Sequence, residues 1–188
     1  MKRILLAGCV CLYGACATAA ELSGVIVEEQ INAVNGQTLI LNGIGLREKF
    51  WIDVYVGSLF LSEKSDNLAD ILAQQGAWRI QLDFVYKEVT SKKLLKAWRE
   101  GFEKNQSQET LGQLQTRIDQ FYRYFASNTV AKDQYQFDYI PGQGTRITKN
   151  QTLLGIIPGD DFKNALLEIW LGKHPASKAL KRGMLGLN

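Results

Sequence analysis

The chain has 188 residues, of which 46% are hydrophobic and 22% are charged, and its formal net charge is +3. A chain of this length fits one domain that buries about 70% of the surface its unfolded form exposes. A net charge so close to zero does not indicate a nucleic acid or another polyanion as a partner. The sequence also contains no internal repeat, linker-like segment or low-complexity tract, so we expect a single domain.

The N-terminal segment has the pattern of a secretion signal. Lys2 and Arg3 precede an apolar run over residues 4–16, and four small residues follow that run. A charged start, a short apolar stretch and a small-residue cleavage site are typical of a signal peptide. The run is shorter than the roughly 20 residues that a spanning helix needs. We therefore predict a signal peptide at 1–20, a domain at 21–188, export to the periplasm and no transmembrane segment in the mature protein.

The cysteines and the histidine limit the chemistry. Cys9, Cys11 and Cys16 all fall within the predicted signal peptide, so the mature chain would have no disulfide, thiolate nucleophile or cysteine metal site. Residues 6–9 also resemble a lipoprotein-processing box, and Cys16 offers a poorer one, so lipidation is an alternative. The single histidine, His174, is interpreted as a solvated turn residue after a helix. We predict no metal and no cofactor.

The first predicted elements are strands. Residues 24–31 and 37–41 flank Asn35-Gly36, which predicts a hairpin. A second turn is predicted at Asn42-Gly43-Ile44-Gly45. Residues 50–61 then form a long run of β-branched and aromatic residues with apolar side chains on both alternating faces, which is typical of a strand buried on both sides.

Asp53 interrupts that run, either as an inward group with a partner or as a marker of an edge or bend, and we assign it a structural role. Residues 67–75 have helical spacing, and residues 78–84 alternate between apolar and polar, which predicts a half-buried strand. Two helices should follow. The first is capped at Thr90 or Ser91 and runs to about Lys104, and the second spans 107–125.

The remaining elements are three strands and two helices. Residues 135–139, 145–149 and 152–156 are predicted to form antiparallel strands. Pro158-Gly159-Asp160 begins a helix that ends at Gly172, and a short helix follows Pro175. Helices that are grouped rather than alternating with strands favour an α+β fold with an antiparallel sheet.

Five segments, in this order, resemble one family, the chalcone-isomerase-like proteins. The first two are Leu41–Arg47 and Val54–Leu61, the third is Leu94–Trp98 together with Gly101-Phe102, the fourth is Tyr139–Gly142 together with Gly144-Thr145, and the fifth is Ala165–Gly172. The resemblance covers nearly all of the mature chain and is closest to the bacterial exported branch. It implies an open-faced β-sandwich, in which helices pack on one side of a large antiparallel sheet.

The resemblance also implies a catalytic candidate. In the plant enzymes a phenolate adds to the double bond of a chalcone, and an arginine stabilises the developing negative charge. Arg47 matches that arginine and is the catalytic residue if this chain is an enzyme. The plant enzymes carry Thr or Ser where this sequence has Ile169, and a second active-site threonine aligns near Val54 or Tyr55. Two polar neighbours of the arginine are therefore missing.

A second branch of the fold, the plastid fatty-acid-binding proteins, holds a ligand carboxylate with an arginine and a tyrosine. Arg47 and Tyr55 resemble that pair, and a guanidinium with a phenol suits a carboxylate beside apolar walls. On one straight strand the two residues would stand roughly 26 Å apart. A turn or strong bend between Leu46 and Phe50 is therefore required. The alternative is that Arg47 is solvated or structurally paired.

Three functions remain open at this point. The leading one is a non-catalytic periplasmic pocket for an apolar acid such as a fatty acid, lined by residues of the 50–61 strand and the 111–125 helix, with Arg47 as the anchor. The second is an intramolecular lyase or isomerase that acts on a chalcone-like enone. The third is a structural or interaction protein of the cell envelope that binds no small ligand.

Overall fold

The computed structural model describes residues 19–187. Most of the predicted signal peptide, including all three cysteines, lies outside the described residues. Ala19 and Ala20, which the sequence placed at the end of that signal, begin the first strand and pair with Val27 and Glu28 of the next.

The described chain contains eleven strands and five helices. The strands are β1 (Ala19–Leu22), β2 (Val25–Glu28), β3 (Gln30–Asn32), β4 (Thr38–Lys49), β5 (Ile52–Leu61), β6 (Trp78–Phe84), β7 (Glu88–Val89), β8 (Thr129–Val130), β9 (Gln134–Ile140), β10 (Gly144–Lys149) and β11 (Thr152–Ile157). The helices are α1 (Leu68–Ala73), α2 (Ser91–Asn105), α3 (Gln108–Arg123), α4 (Asp160–Leu171) and α5 (Lys178–Met184).

A curled antiparallel sheet of seven strands forms the centre of the fold. Its strand order is β11-β10-β9-β6-β5-β4-β3, and two pairs, β1-β2 and β7-β8, form separate small sheets. Helices α2, α3 and α4 pack against one another, and α5 lies on β4. The predicted α+β fold with helices packed on a large antiparallel sheet is confirmed.

The alternation along β6 shows how the sequence sets the two faces of the sheet. Trp78, Ile80, Leu82 and Phe84 are almost completely buried beneath the helices, and the residues between them lie on the opposite face. On that opposite face the β1-β2 pair covers a smaller apolar cluster that includes Val27, Leu39 and Phe60. The helix layer and the sheet therefore enclose the main core.

The predicted helix starts are confirmed by their caps. The side chains of Thr90 and Ser107 accept hydrogen bonds from Lys93 N and Thr110 N, at the beginnings of α2 and α3. Asn67 caps α1 in the same way by accepting from Asp70 N.

The turn predicted at Asn42–Gly45 is wrong. These residues lie inside β4, which runs without interruption from Thr38 to Lys49 and has only a bulge between Leu41 and Gly43. The glycines serve packing instead, because a methyl group at Gly45 would lie 2.5 Å from the carbonyl oxygen of Leu180 in α5. Glycines within a strand can mark a close approach of two backbones as well as a turn.

The two-sided burial predicted for residues 50–61 holds for only part of that range. From Tyr55 to Leu61 every residue is buried, whereas Phe50, Trp51, Ile52 and Asp53 are exposed. Asp53 lies beside the chain reversal and accepts a hydrogen bond from Ser23 Oγ at 3.3 Å. It therefore marks the edge rather than an inward polar group.

Candidate functional site

Arg47 and Tyr55 lie directly opposite each other on β4 and β5. The chain reversal that this pairing requires occurs at Phe50-Trp51, just beyond the stretch in which the sequence predicted a bend. Residues that face each other in an antiparallel pair have Cα atoms about 4.5–5.5 Å apart and side chains on the same face. The strand pairing therefore brings the two predicted ligand-binding residues together.

A bulge lies immediately beside this pair. Arg47 pairs with Tyr55, but Glu48 pairs with Asp53, so Val54 is the extra residue on β5. Bulges increase the local twist and change the direction in which neighbouring side chains point. The Val54 carbonyl oxygen accepts hydrogen bonds from Val85 N and Tyr86 N, which anchors the bulge to the segment after β6.

Tyr55 is a buried phenol with one hydrogen-bond partner. Its hydroxyl oxygen accepts from Trp170 Nε1 of α4 at 3.2 Å, and its ring lies 5.3 Å from that of Phe84. Burial raises the pKa of Tyr55, while the Trp170 hydrogen bond and the charge of Arg47 act in the opposite direction. The phenol therefore stays neutral and keeps a hydroxyl hydrogen that it can donate.

Arg47 is half-buried at the rim of the helix-covered face. Its Nη1 donates to the Glu48 carbonyl oxygen at 2.8 Å, and within residues 19–187 its Nε and Nη2 have no acceptor. The guanidinium thus has donors to spare on the residue that pairs with Tyr55 across the two strands. A cation and a neutral donor arranged in this way suit a carboxylate or another anion.

The interior behind Tyr55 is filled by aromatic side chains. Trp98 lies among four other rings, those of Phe121, Phe125, Phe137 and Trp170, at centroid distances of 5.2 to 5.9 Å. The α3 rings pack on Phe137 of β9, two strands away from β5. Where the sequence suggested a pocket between the 50–61 strand and the 111–125 helix, the described structure has a packed ring cluster.

Two surface cavities lie elsewhere. One, of about 560 Å³, lies between α2 and α3 and is lined by residues that include Arg99 and Tyr122. The other, of about 650 Å³, lies beside β4 and is lined by residues that include Ile40 and Lys64. Neither Arg47 nor Tyr55 lines either cavity.

The sequence matches a known family over almost the whole described chain. The family described as chalcone isomerase-like matches residues 19–186. This chain belongs to the chalcone isomerase-like family. A comparison with curated protein sequences gives no match.

The chalcone isomerase-like fold is also seen in a solved structure. A fatty-acid-binding protein of Arabidopsis thaliana superposes with a TM-score of 0.59 at 14% sequence identity, covering 84% of this chain and 96% of that protein. At this identity the similarity establishes the fold. The family assignment and this structural neighbour agree with the resemblance seen in the sequence motifs.

Two positions at which the resemblance implied a threonine or serine are occupied by other residues in this chalcone isomerase-like chain. Ile169 is buried, and its side chain lies where a methyl group on Gly101 would meet it, so it packs between α4 and α2. Val54 forms the bulge beside Tyr55. His174 is exposed in the turn after α4, as predicted from the sequence.

One residue of the site was missed from the sequence. Trp170 lies on the buried face of α4, and its hydrogen bond to Tyr55 joins residues 115 positions apart. The periodicity of a helix shows which residues point inward but not which strand they reach. A buried tryptophan N–H needs an acceptor, so the sequence could have predicted a polar partner for Trp170 but not its identity.

Residues 19–187 contain neither a candidate membrane span nor a candidate metal site. No helix there is long and apolar enough to cross a membrane. No group of three or more His, Cys, Asp or Glu side chains in the same range is arranged to hold a metal ion.

Proposed function

We propose that the protein binds an apolar carboxylate such as a fatty acid, and that Arg47 and Tyr55 contact the carboxylate group. One observation carries this proposal: β4 and β5 place a guanidinium with unused donors directly opposite a buried phenol. The fatty-acid-binding protein with the same fold supports it. No catalytic step is required for this function.

The chemistry of the pair favours an anion. Because burial raises the pKa of Tyr55, the phenol is a hydrogen-bond donor rather than a second negative charge at neutral pH. Trp170 already donates to the phenol oxygen, which leaves the hydroxyl hydrogen free to point toward a ligand. A carboxylate held by an arginine and a phenol would receive one charge-assisted and one neutral hydrogen bond.

The acyl chain requires a rearrangement of the core. Because side chains fill the interior, a ligand tail that enters behind Tyr55 must displace rings near Trp170. The adjacent Trp98 has a buried Nε1 without an acceptor within the described residues, so this part of the core contains an unsatisfied hydrogen-bond donor. Ligand binding should therefore change the fluorescence of these tryptophans.

The test compares a long-chain fatty acid with its methyl ester, which lacks the charge. We expect the acid to bind the wild-type protein and raise its melting temperature. Arg47→Ala should weaken binding about tenfold or more, and Tyr55→Phe should weaken it less, because a neutral hydrogen bond contributes less than one to a charged group. The matched control is Arg123→Ala, which removes an exposed arginine of α3.

A second candidate function follows from the packed interior. A domain whose helix layer and sheet already fill the space between them can serve as a structural or interaction module without a small ligand. This candidate predicts that neither the acid nor the ester changes the melting temperature or the tryptophan fluorescence of the wild-type protein. That result would refute the fatty-acid proposal.

We also propose that the protein is exported to the periplasm by the predicted signal peptide at residues 1–20, because their pattern matches such a signal. Native mass spectrometry of protein recovered from the periplasmic fraction tests this proposal, since it reports the mature mass together with any lipid on Cys9 or Cys16 and any retained ligand. Protein found only in the cytoplasmic fraction at full-length mass would refute it.

A further inference from the structure

Two large aromatic side chains stand in solvent at the reversal between β4 and β5. The exposed fraction of Phe50 is 79% and that of Trp51 is 91%, and the next residue, Ile52, is 41% exposed. Scattered exposed apolar residues are common on protein surfaces, but three in succession at one protruding turn form a local patch. We call residues 50–52 the aromatic tip.

The backbone of the aromatic tip is unfavourable for these residue types. Phe50 and Trp51 have φ angles of 51° and 60°, in the left-handed region. Two-residue hairpin turns with positive φ at both positions strongly prefer Asn-Gly and related pairs. For other residues the left-handed conformation costs about 1–2 kcal/mol each.

The same chain forms a similar turn with polar residues. Asn150 and Gln151 connect β10 and β11 with φ angles of 49° and 67°. Turn geometry therefore does not require aromatic residues at Phe50 and Trp51. Since these side chains neither suit the backbone nor pack in the core, their exposed surface calls for another explanation.

The aromatic tip also projects from the sheet. On one side, β5 pairs with β6 only from Tyr55 onward. On the other side, β3 pairs with β4 only at residues 38–40. Among the described strands, none pairs with residues 48–53 on either flank of this two-stranded ribbon, and Ser23 of the β1-β2 turn reaches only Asp53 at its base. The side chains of the tip are therefore accessible to a surface outside the molecule.

We propose that the aromatic tip inserts into the interfacial layer of a lipid bilayer. Trp and other amphipathic aromatic side chains favour the headgroup region of a membrane. Each aromatic ring buries about 150–250 Å², so the pair falls well short of the roughly 800 Å² that each partner buries in a stable protein interface. A bilayer needs only such a shallow contact.

The charges around the tip indicate apolar insertion rather than electrostatic attraction. Arg47 and Lys49 lie beside Glu48 and Asp53, so the flanking formal charges cancel. Binding should therefore occur on neutral phosphatidylcholine vesicles and should change little when phosphatidylglycerol or salt is added.

This inference does not depend on the fatty-acid proposal, although Arg47 lies only three residues before Phe50. An inserted tip would hold the Arg47-Tyr55 pair next to the membrane surface, where apolar acids partition. The two proposals fail separately in experiment. Arg47→Ala should weaken fatty-acid binding and keep vesicle binding, whereas a change in the aromatic tip should weaken vesicle binding and keep fatty-acid binding.

The experiment measures co-sedimentation of the purified protein with phosphatidylcholine vesicles. We expect the wild-type protein to bind and its tryptophan emission to shift to shorter wavelength. The double variant Phe50→Asn/Trp51→Gly should bind about tenfold more weakly, because it removes both rings. Its melting temperature should stay the same or rise, since Asn-Gly is the preferred pair for this turn.

Leu153→Ser is the matched control, because Leu153 is a 46% exposed residue on the edge strand β11. It should leave vesicle binding unchanged. The proposal is overturned if the wild-type protein fails to bind neutral vesicles, or if the double variant binds them as well as the wild type. Self-association that depends on the aromatic tip, without vesicle binding, would also overturn it in favour of a second copy of the chain.

Discussion

Asp133 illustrates how this fold accommodates a buried charge. Its carboxylate receives Lys149 Nζ at 2.8 Å, Asn150 Nδ2 at 2.8 Å and Val130 N at 3.0 Å. Burial acts to raise the pKa of Asp133, but these donors outweigh it, and the net pKa lies below the ordinary value of 3.8. The carboxylate therefore joins the start of β9 to the β10-β11 turn.

Asp133→Asn should destabilise the protein by about 1–3 kcal/mol at pH 7, because a buried charge-assisted network is broken. A lowered pKa in the folded state contributes stability above pH 3.8, and this contribution is lost as the pH falls below it. The deficit of the variant should therefore shrink in acid. Urea unfolding at pH 7 and pH 3 measures this change.

The control for that prediction is Asp66→Asn, which changes an exposed carboxylate. It should alter the free energy of unfolding by less than about 0.5 kcal/mol at pH 7. A deficit of Asp133→Asn that is equally large at both pH values would contradict the assignment of its effect to the charge.

Among the elements, α5 and β4 pack with their backbones in close contact. Added methyl groups at Gly43 and Gly45 would collide with the backbone of Gly183 and Leu180, and one at Gly183 would collide with Ile44. The contact thus depends on glycine from both elements. The Leu180 side chain fills the space above Gly57 on the neighbouring strand.

Gly45→Ala should destabilise the protein by about 3 kcal/mol, because a methyl group 2.5 Å from a backbone oxygen can be accommodated only if α5 moves. Gly112→Ala is the opposite case. No atom lies within 4 Å of a methyl group there, and alanine in an exposed helix is favoured over glycine by about 1 kcal/mol. Thermal unfolding of both variants tests the pair, and similar effects at the two positions would contradict it.

The contrast between β6 and the start of β5 shows how far the sequence predicts the elements. The alternation at residues 78–84 predicts a strand with one buried face, because polar residues at every second position do not fit the 3.6-residue period of a helix. At Phe50 and Trp51 the same reasoning failed, since aromatic side chains indicate a strand interior and nothing local signals a left-handed backbone. The turn prediction at Gly43 and Gly45 failed for a different reason, because a turn and a close contact with a helix both favour glycine.

At the scale of the whole molecule, Asn42 joins distant parts of the chain. Its Nδ2 donates to the carbonyl oxygens of Ser65 and Met184 at 2.9 and 2.8 Å, and its Oδ1 accepts from Ser65 N at 2.8 Å. Asn42 occupies the bulge in β4, where the sequence predicted a turn. One side chain thus ties β4 to the segment before α1 and to the end of α5.

Asn42→Ala should lower the free energy of unfolding by about 3 kcal/mol, because three hydrogen bonds are lost and buried backbone groups are left without partners. Asn35→Ala serves as the control, since Asn35 is exposed and its Oδ1 accepts one local hydrogen bond from Gln37 N. Its effect should stay below about 1 kcal/mol. Equal losses for the two variants in denaturant titrations would contradict the role assigned to Asn42.

The overall architecture could be predicted from the sequence because grouped helices, alternating strands and family motifs all indicated the same fold. The candidate site could be predicted only in part. The Arg47-Tyr55 pairing was inferred by resemblance and is explained by the hairpin, whereas Trp170 joins the site through a contact between distant elements. Whether the interior is packed or hollow depends on the combined volumes of many side chains, which no sequence pattern reports.

The contact between β4 and α5 has a consequence for biogenesis. The hydrogen bond from Asn42 to Met184 spans 142 positions. At 5–20 residues per second, a ribosome therefore synthesises Met184 roughly 7 to 28 seconds after Asn42. Throughout that interval the glycine-lined side of β4 has no helix to cover it. The nascent chain therefore cannot complete this part of the fold until α5 has been synthesised.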